Sequence, residues 1–335
     1  IGLDFQNIAK LSIRSWSDLM YKKLACVLVL GLFFISGVWL GHYKPELFRI
    51  PLSYMRSIAV YENVYQQSVD RLKNNFEKGT CGNKDQGYSF FLAGHVFGTP
   101  GVKYNGIYEP FKSNSELNNC IFMPLGFLLG DTVRVASDYE FNILKNDIKS
   151  IGNKTSIYIS PGNHDVGTTT YNAKRDIYLK HFGETFKYFK YENDLFILLD
   201  ANLHNWNIIG DQLQMLKSLN SGENEYNNVF IFSHQVIWID TENKKFSSLI
   251  VNSTAGKAEK LNFWDEVFPV INDIGENVFV FAGDVGAFDN KSEFFYDNIS
   301  GVDFFATGMG GGKRDNFLLI HVNRGKVDIE LIQLN

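Results

Sequence analysis

From about residue 80 onward, short apolar runs alternate with longer stretches of helical periodicity. Tyr88 to Ala93, Ile121 to Leu129, Ser156 to Ser160, Leu195 to Leu199, Val229 to Phe232 and Val278 to Phe281 read as buried strands. Helical patterns fit Ala136 to Ile151, Tyr171 to His181, Asp211 to Leu219 and Ala258 to Ile271. Strand alternating with helix predicts an α/β core. The last stretch is different. Phe294 to Tyr296, Asp303 to Ala306, Asn316 to Val322 and Val327 to Ile332 are strand-like with no helix between them, so a mixed sheet closing with antiparallel strands is expected. Nothing inside residues 80–335 reads as a linker, which makes that stretch one domain.

The first 79 residues follow another pattern. Leu24 to Gly41 is 18 residues without a charge, just long enough to cross a hydrocarbon core. It is long for a signal-peptide core and lacks a small-x-small exit, so a retained anchor over 24–41 is expected. Lys10, Arg14, Lys22 and Lys23 precede it, and Lys44, Arg49 and Arg56 follow. That small excess predicts a single pass, with the N-terminus in the cytoplasm and the main domain periplasmic or otherwise extracytoplasmic. Residues 1–23 are then a cytoplasmic or interfacial segment, with Ile8, Leu11, Trp16, Leu19 and Met20 near helical spacing. Within 42–79, Leu52 to about Lys78 is helical, as a stalk or as a helix packed on the main domain, and Gly79 to Gly87 is a loop.

Composition changes little in this picture. The net charge of −5 comes without a basic stripe, which argues against nucleic acid as a partner. The 29 Phe and 16 Tyr supply material for a large core. Cys26 lies in the apolar run, which leaves Cys81 and Cys120 to pair if the domain sits in an oxidising compartment.

The chemistry gathers where the strands end. The runs lead into Ala93-Gly94-His95, Gly130-Asp131-Thr132, Pro161-Gly162-Asn163-His164-Asp165, Ser233-His234-Gln235 and Ala282-Gly283-Asp284-Val285-Gly286. Ligand sites of α/β sheets lie outside the carboxyl ends of strands, so these five segments are expected to converge. Imidazole, carboxylate and amide oxygen form a ligand set for a divalent metal such as Mn, Fe or Zn.

Gly130-Asp131, Gly162-Asn163-His164-Asp165 and the strand-borne His234 resemble successive motifs of the calcineurin-like metallophosphoesterases, over roughly Tyr88 to Asn335. The resemblance implies a four-layer αββα sandwich of two mixed sheets, with a dinuclear metal centre at one edge. It also implies hydrolysis of phosphomonoesters, phosphodiesters, nucleotides or pyrophosphate bonds. Carried across, Asp131 bridges two metals, Asn163 and His234 bind the second, and His164 contacts phosphate or the leaving group. The pattern is incomplete. The family's opening Asp-x-His is Ala93-Gly94-His95 here, and its closing Gly-His-x-His is Gly283-Asp284-Val285-Gly286. One metal keeps only His95 and Asp131, whereas the other keeps Asp131, Asn163 and His234, with Asp284 as a further ligand. One ion rather than two is expected.

Other residues invite weaker readings. Arg134 is either a substrate-phosphate contact or a surface charge at a helix start. Gly308 to Lys313 is either an anion-binding nest or a strand-to-strand loop. Tyr104, Tyr108 and Phe111 lie in an insertion that forms either a lid or a surface loop with partly buried aromatics. The expected function is a membrane-anchored phosphoesterase acting on a lipid-, nucleotide-sugar- or surface-glycan-related compound, with the bilayer and a phosphorylated small molecule or glycolipid as partners. The alternative is an inactive binding or assembly subunit with membrane-protein partners.

Overall fold

The computed structural model describes residues 52–79, 81–82, 87–120, 122–151, 155–169, 172–220, 226–239, 246, 249–288 and 291–334. The anticipated anchor at 24–41, the segment 1–23 before it and residues 42–51 after it lie outside these residues. Among the described residues no helix is long and apolar enough to cross a membrane. Residues Ala59–Asn335 form one compact unit, to which the following description applies.

Among the described residues eleven strands run through the unit: β1 Gly87–Gly94, β2 Leu125–Leu129, β3 Ser156–Ser160, β4 Lys187–Tyr191, β5 Asp194–Leu198, β6 Val229–Ser233, β7 Val278–Ala282, β8 Phe294–Ile299, β9 Val302–Thr307, β10 Asn316–Asn323 and β11 Lys326–Gln333. The helices are α1 Leu52–Asn75, α2 Glu109–Lys112, α3 Ser115–Asn119, α4 Asp138–Ile151, α5 Asn163–Val166, α6 Ala173–Phe182, α7 Asp211–Leu219 and α8 Phe268–Asn272, with a π-helical turn Phe263–Val267 leading into α8. One sheet has the order β11-β10-β1-β2-β3 and the other β4-β5-β6-β7-β9-β8. Both are mixed: the first has parallel β1-β2-β3 running to one edge and antiparallel β10 and β11 on the other side, and the second has parallel β5-β6-β7-β9 flanked by antiparallel β4 and β8.

Alternation along the strands builds the layers. On β1, Phe90 and Leu92 face the second sheet, while Phe91 and Ala93 face helices α4 and α6. Between the sheets lies an aromatic layer in which Phe127 stacks on Phe232 at 4.1 Å and on Phe196 at 5.5 Å. Beyond the second sheet, Ile197, Ile231 and Val280 pack with Leu213 and Leu216 of α7 and Ile271 of α8. Each of these nearly continuous apolar strands is therefore buried on both faces, as parallel strands covered by helices must be. Two mixed sheets with helices outside make the α/β arrangement that the strand pattern predicted.

From Tyr65 onward α1 is packed on the sandwich. Tyr65, Ser68 and Leu72 recur at helical spacing and are buried. Gln333 at the end of β11 donates to the Tyr65 hydroxyl, and Asn75 donates to Tyr296 of β8 at 2.6 Å. The helix thus covers the side of the sandwich where edge strands β11 and β8 leave it open. A disulfide joins Cys81 to Cys120, with the Cα atoms 5.4 Å apart.

Three elements differ from the sequence expectation. β4 was not anticipated, because Lys-Tyr-Phe-Lys-Tyr carries too much charge to read as a buried run, and it is a half-exposed edge strand. β2 begins at Leu125, since Pro124 offers no N–H to a ladder. The helix expected from Ala258 begins at Phe263 and passes from a π turn into α8 with Pro269 in its first turn, where a missing N–H costs least.

Candidate metal centre

The carboxyl ends of β1, β2, β3, β6 and β7 meet at one edge of the sandwich, and glycine lets them come close. A Cβ at Gly94 would strike the Gly283 backbone and the Thr307 carbonyl, so the two sheets touch backbone to backbone here. A Cβ at Gly130 would enter the His234 ring, and one at Gly162 would enter Asp131. His95 and Asp131, directly after β1 and β2, have φ of 53° and 48°. Such left-handed backbone is uncommon outside glycine and concentrates at functional sites.

Asp131 is the hub. Its carboxylate lies 3.4 Å from His234 Nε2, 3.8 Å from His95 Nε2 and 4.0 Å from His164 Nε2. Asp284 stands 3.8 Å from His234 Nε2 on the far side. Each imidazole is held by its other nitrogen: Nδ1–H of His95 donates to Met309 O (2.9 Å), that of His164 to Arg134 O (2.6 Å) and that of His234 to Leu129 O (2.8 Å). A carbonyl at Nδ1 fixes the ring and leaves Nε2 as the atom that can meet a metal ion, as in metal-ligating histidines. All three Nε2 atoms therefore turn toward one carboxylate.

These buried groups lack the partners that burial normally demands. His234 Nε2 and both Asp284 oxygens make no well-formed hydrogen bond, their nearest polar neighbours being Asp131 for His234 and the Ser253 backbone N–H for Asp284. The 3.4 Å from His234 to Asp131 is close enough for a hydrogen bond but is not directed as one. Burial alone would cost such groups several kcal/mol, and buried charges are retained where they are paired or coordinate metals. Burial pushes the Asp284 carboxyl up to about 8, against the opposing pull of His234. For His95 burial prevails over the charge of Asp131 and brings the imidazole down to about 4. For His234 burial is outweighed by Asp131 and Asp284, which take it up to about 10. Asp131, although buried, is held below the usual carboxylate range by the three imidazoles around it. The donor set fits a divalent cation of the Mn, Fe or Zn kind. As the side chains stand, no group of three or more His, Cys, Asp or Glu among the described residues is close enough together to hold an ion.

No protein-family model matches the chain, and no curated protein matches it. Solved structures do. The solution structure of the Thermotoga maritima protein TM1076 is 12% identical, covering 73% of this chain and 98% of its own, with a TM-score of 0.34. A single mutant of Vps29 from Entamoeba histolytica is 13% identical, covering 74% and 99%, with a TM-score of 0.33. A double mutant of the same protein is 12% identical over 74% and 99%, at 0.32.

The remaining sequence candidates are placed as follows. Asn163 opens α5, partly exposed beside His164, whose backbone N–H donates to Asp131 at 3.0 Å. Arg134 sends its Nη1 to the Val102 carbonyl at 3.0 Å, tying down the insertion. The glycine nest already has an anion: Asp315 accepts from the N–H groups of Gly310, Gly311 and Gly312 at 2.8 to 3.0 Å. Tyr104 and Phe111 are buried in the core beneath the insertion, which is a packed loop. Ala93 also lies within that apolar cluster. Gly286 has φ of +80° and a Cβ there would lie 2.8 Å from the Gly308 backbone, so the space of the expected histidine is filled.

One residue in the matched motif does more than sequence suggested. The fully buried Asp165 accepts from Thr132 N (2.9 Å), Thr132 Oγ1 (2.8 Å), Val133 N (3.2 Å) and Gly162 N (2.8 Å). It clamps the loop carrying Asp131 to the loop carrying Asn163 and His164. Burial first, then the charge of Asp131, raises its carboxyl to about 6. Only its place after Gly-Asn-His marked it in the sequence.

Proposed function

We propose that this chain is a metal-dependent phosphoesterase of the metallophosphoesterase type, tethered to a membrane by residues 24–41 and working with one divalent cation. Asp131, Asn163, His234 and Asp284 would hold the ion, with His95 on the weaker side of Asp131. The observation that carries the reading is the convergence of three imidazole Nε2 atoms on Asp131, beside a fully buried Asp284 with no well-formed hydrogen bond. A bound divalent ion supplies Lewis-acid polarisation of a phosphoryl oxygen. The chain's own groups do the rest. Backbone carbonyls at Nδ1 keep the rings from turning. His164, with 39% of its side chain exposed, is the imidazole open to substrate, and its Nε2 can exchange a proton with a phosphate or leaving-group oxygen.

A second reading, a non-catalytic binding or assembly subunit, is favoured by Ala93 and Gly286. Neither can coordinate through its side chain, and a Cβ at Gly286 would meet the Gly308 backbone. The test is metal content by mass spectrometry on the full chain in lipid nanodiscs, together with hydrolysis of p-nitrophenyl phosphate and bis-p-nitrophenyl phosphate. About one ion per chain and a hydrolysis rate, both lost in His234→Ala, support the hydrolase. Absence of metal after incubation with manganese, iron or zinc refutes it in favour of the binding subunit.

A further inference from the structure

The lip of the site beside His164 is apolar where surfaces are normally polar. Val102 is 58% exposed, Val135 48% and Tyr139 66%. Hydrogen bonds tie the two valines to Arg134 and Glu140. Arg134 Nη1 donates to Val102 O at 3.0 Å, and Glu140 Oε2 accepts from the backbone N–H of both Arg134 and Val135 at 2.8 and 2.9 Å. Tyr139 immediately precedes that Glu140. The same Arg134 gives its carbonyl to His164 Nδ1, so the lip is joined directly to the exposed imidazole of the site. Its backbone is well fixed: Tyr108 N bonds Val96 O at 2.9 Å, and Ile107 N bonds Asp147 at 2.7 Å. A surface that displays Val102 and Val135 of two loops and Tyr139 of α4 to water, among the exposed Lys103, Arg134 and Asp138, suits a ligand with a charged and an apolar part.

The geometry points to an amphiphilic phosphoester as the substrate class, with its phosphate at Asp131 and His164 and its apolar part lying across Val102, Val135 and Tyr139. This rests on the proposed phosphate site and adds to it a source of selectivity. Each methylene fully buried contributes about 0.8 kcal/mol, or roughly fourfold in affinity. A six-carbon chain half covered on an open lip should gain about 10- to 100-fold over one carbon.

The probes are methylphosphonate and hexylphosphonate, titrated calorimetrically into the manganese-supplemented full chain in phosphatidylcholine nanodiscs, with empty nanodiscs subtracted. The expected result is hexylphosphonate binding about 10- to 100-fold more tightly, with the ratio falling toward one in Val102→Asp/Val135→Asp. Tyr188→Asp, an exposed change on edge strand β4, should leave the ratio intact. A wild-type ratio near one, with binding still abolished by His234→Ala, overturns the apolar lip and spares the phosphate site. No binding of either phosphonate overturns both. A double variant that keeps the wild-type ratio also overturns the inference.

Discussion

Asp284→Asn should raise the stability of the metal-free protein and weaken its response to metal. Both Asp284 oxygens are buried with no well-formed hydrogen bond, and the carboxyl shares its surroundings with Asp131. Asparagine keeps the shape and removes the cost of taking up a proton on folding, since burial raises the carboxyl to about 8 and leaves it largely neutral at pH 7. An unsatisfied buried polar atom costs about 1–3 kcal/mol, and a charged one more. Because the amide remains partly unsatisfied, a net gain of about 1–3 kcal/mol is expected. For a unit of this size each kcal/mol moves the melting temperature by roughly 2–4 °C. The wild type at a hundredfold excess of ion over Kd should recover about 2.7 kcal/mol, and the variant well under half of that. Differential scanning calorimetry of both proteins, after chelation and after manganese or zinc is restored, reads the two effects separately. A chelated variant that melts below wild type, or one whose metal-induced shift equals wild type, would show that Asp284 is an ordinary core polar group and refute the reasoning.

Other positions give equally direct tests. Phe127→Ala removes the ring that stacks on Phe232 and Phe196 between the sheets, and should cost about 3–5 kcal/mol in urea unfolding. Asp165→Asn turns one acceptor oxygen into a donor facing an N–H, so a loss of about 2–3 kcal/mol is expected, measured by the same titration, together with weaker metal binding. Reducing Cys81–Cys120, 39 residues apart in sequence, should lower stability by about 2–4 kcal/mol under thiol, while the Cys81→Ser variant is insensitive to thiol. Gly286→His should destabilise the fold and leave the metal count near one by mass spectrometry, because its Cβ meets the Gly308 backbone.

The strands that make the site were readable because they are buried on both faces. Val229-Phe230-Ile231-Phe232 and Val278-Phe279-Val280-Phe281 leave no doubt of their kind, and the His or Asp that follows each stands out. β4 escaped because an edge strand needs only one apolar face, and Lys187 and Lys190 hide the alternation. The nest at Gly308 to Lys313 looked open because sequence shows the three donors but not the Asp315 carboxylate that folds back onto them. Arg134 shows the same limit, since its contact with Val102 spans 32 residues. The clamp made by Asp165 is likewise long-range, and a motif gives its residue type without its partners.

The division of the donors between the sheets has a consequence of its own. His95 and Asp131 follow strands of one sheet, and His234 and Asp284 follow strands of the other. An ion shared among them would be a cross-link between the two halves of the sandwich, fastening the edge opposite the covalent chain reversals. Such a rivet is useful whether or not any bond is hydrolysed. A lineage can therefore shed the residues that turn over substrate while selection for folding still guards those that grip the metal.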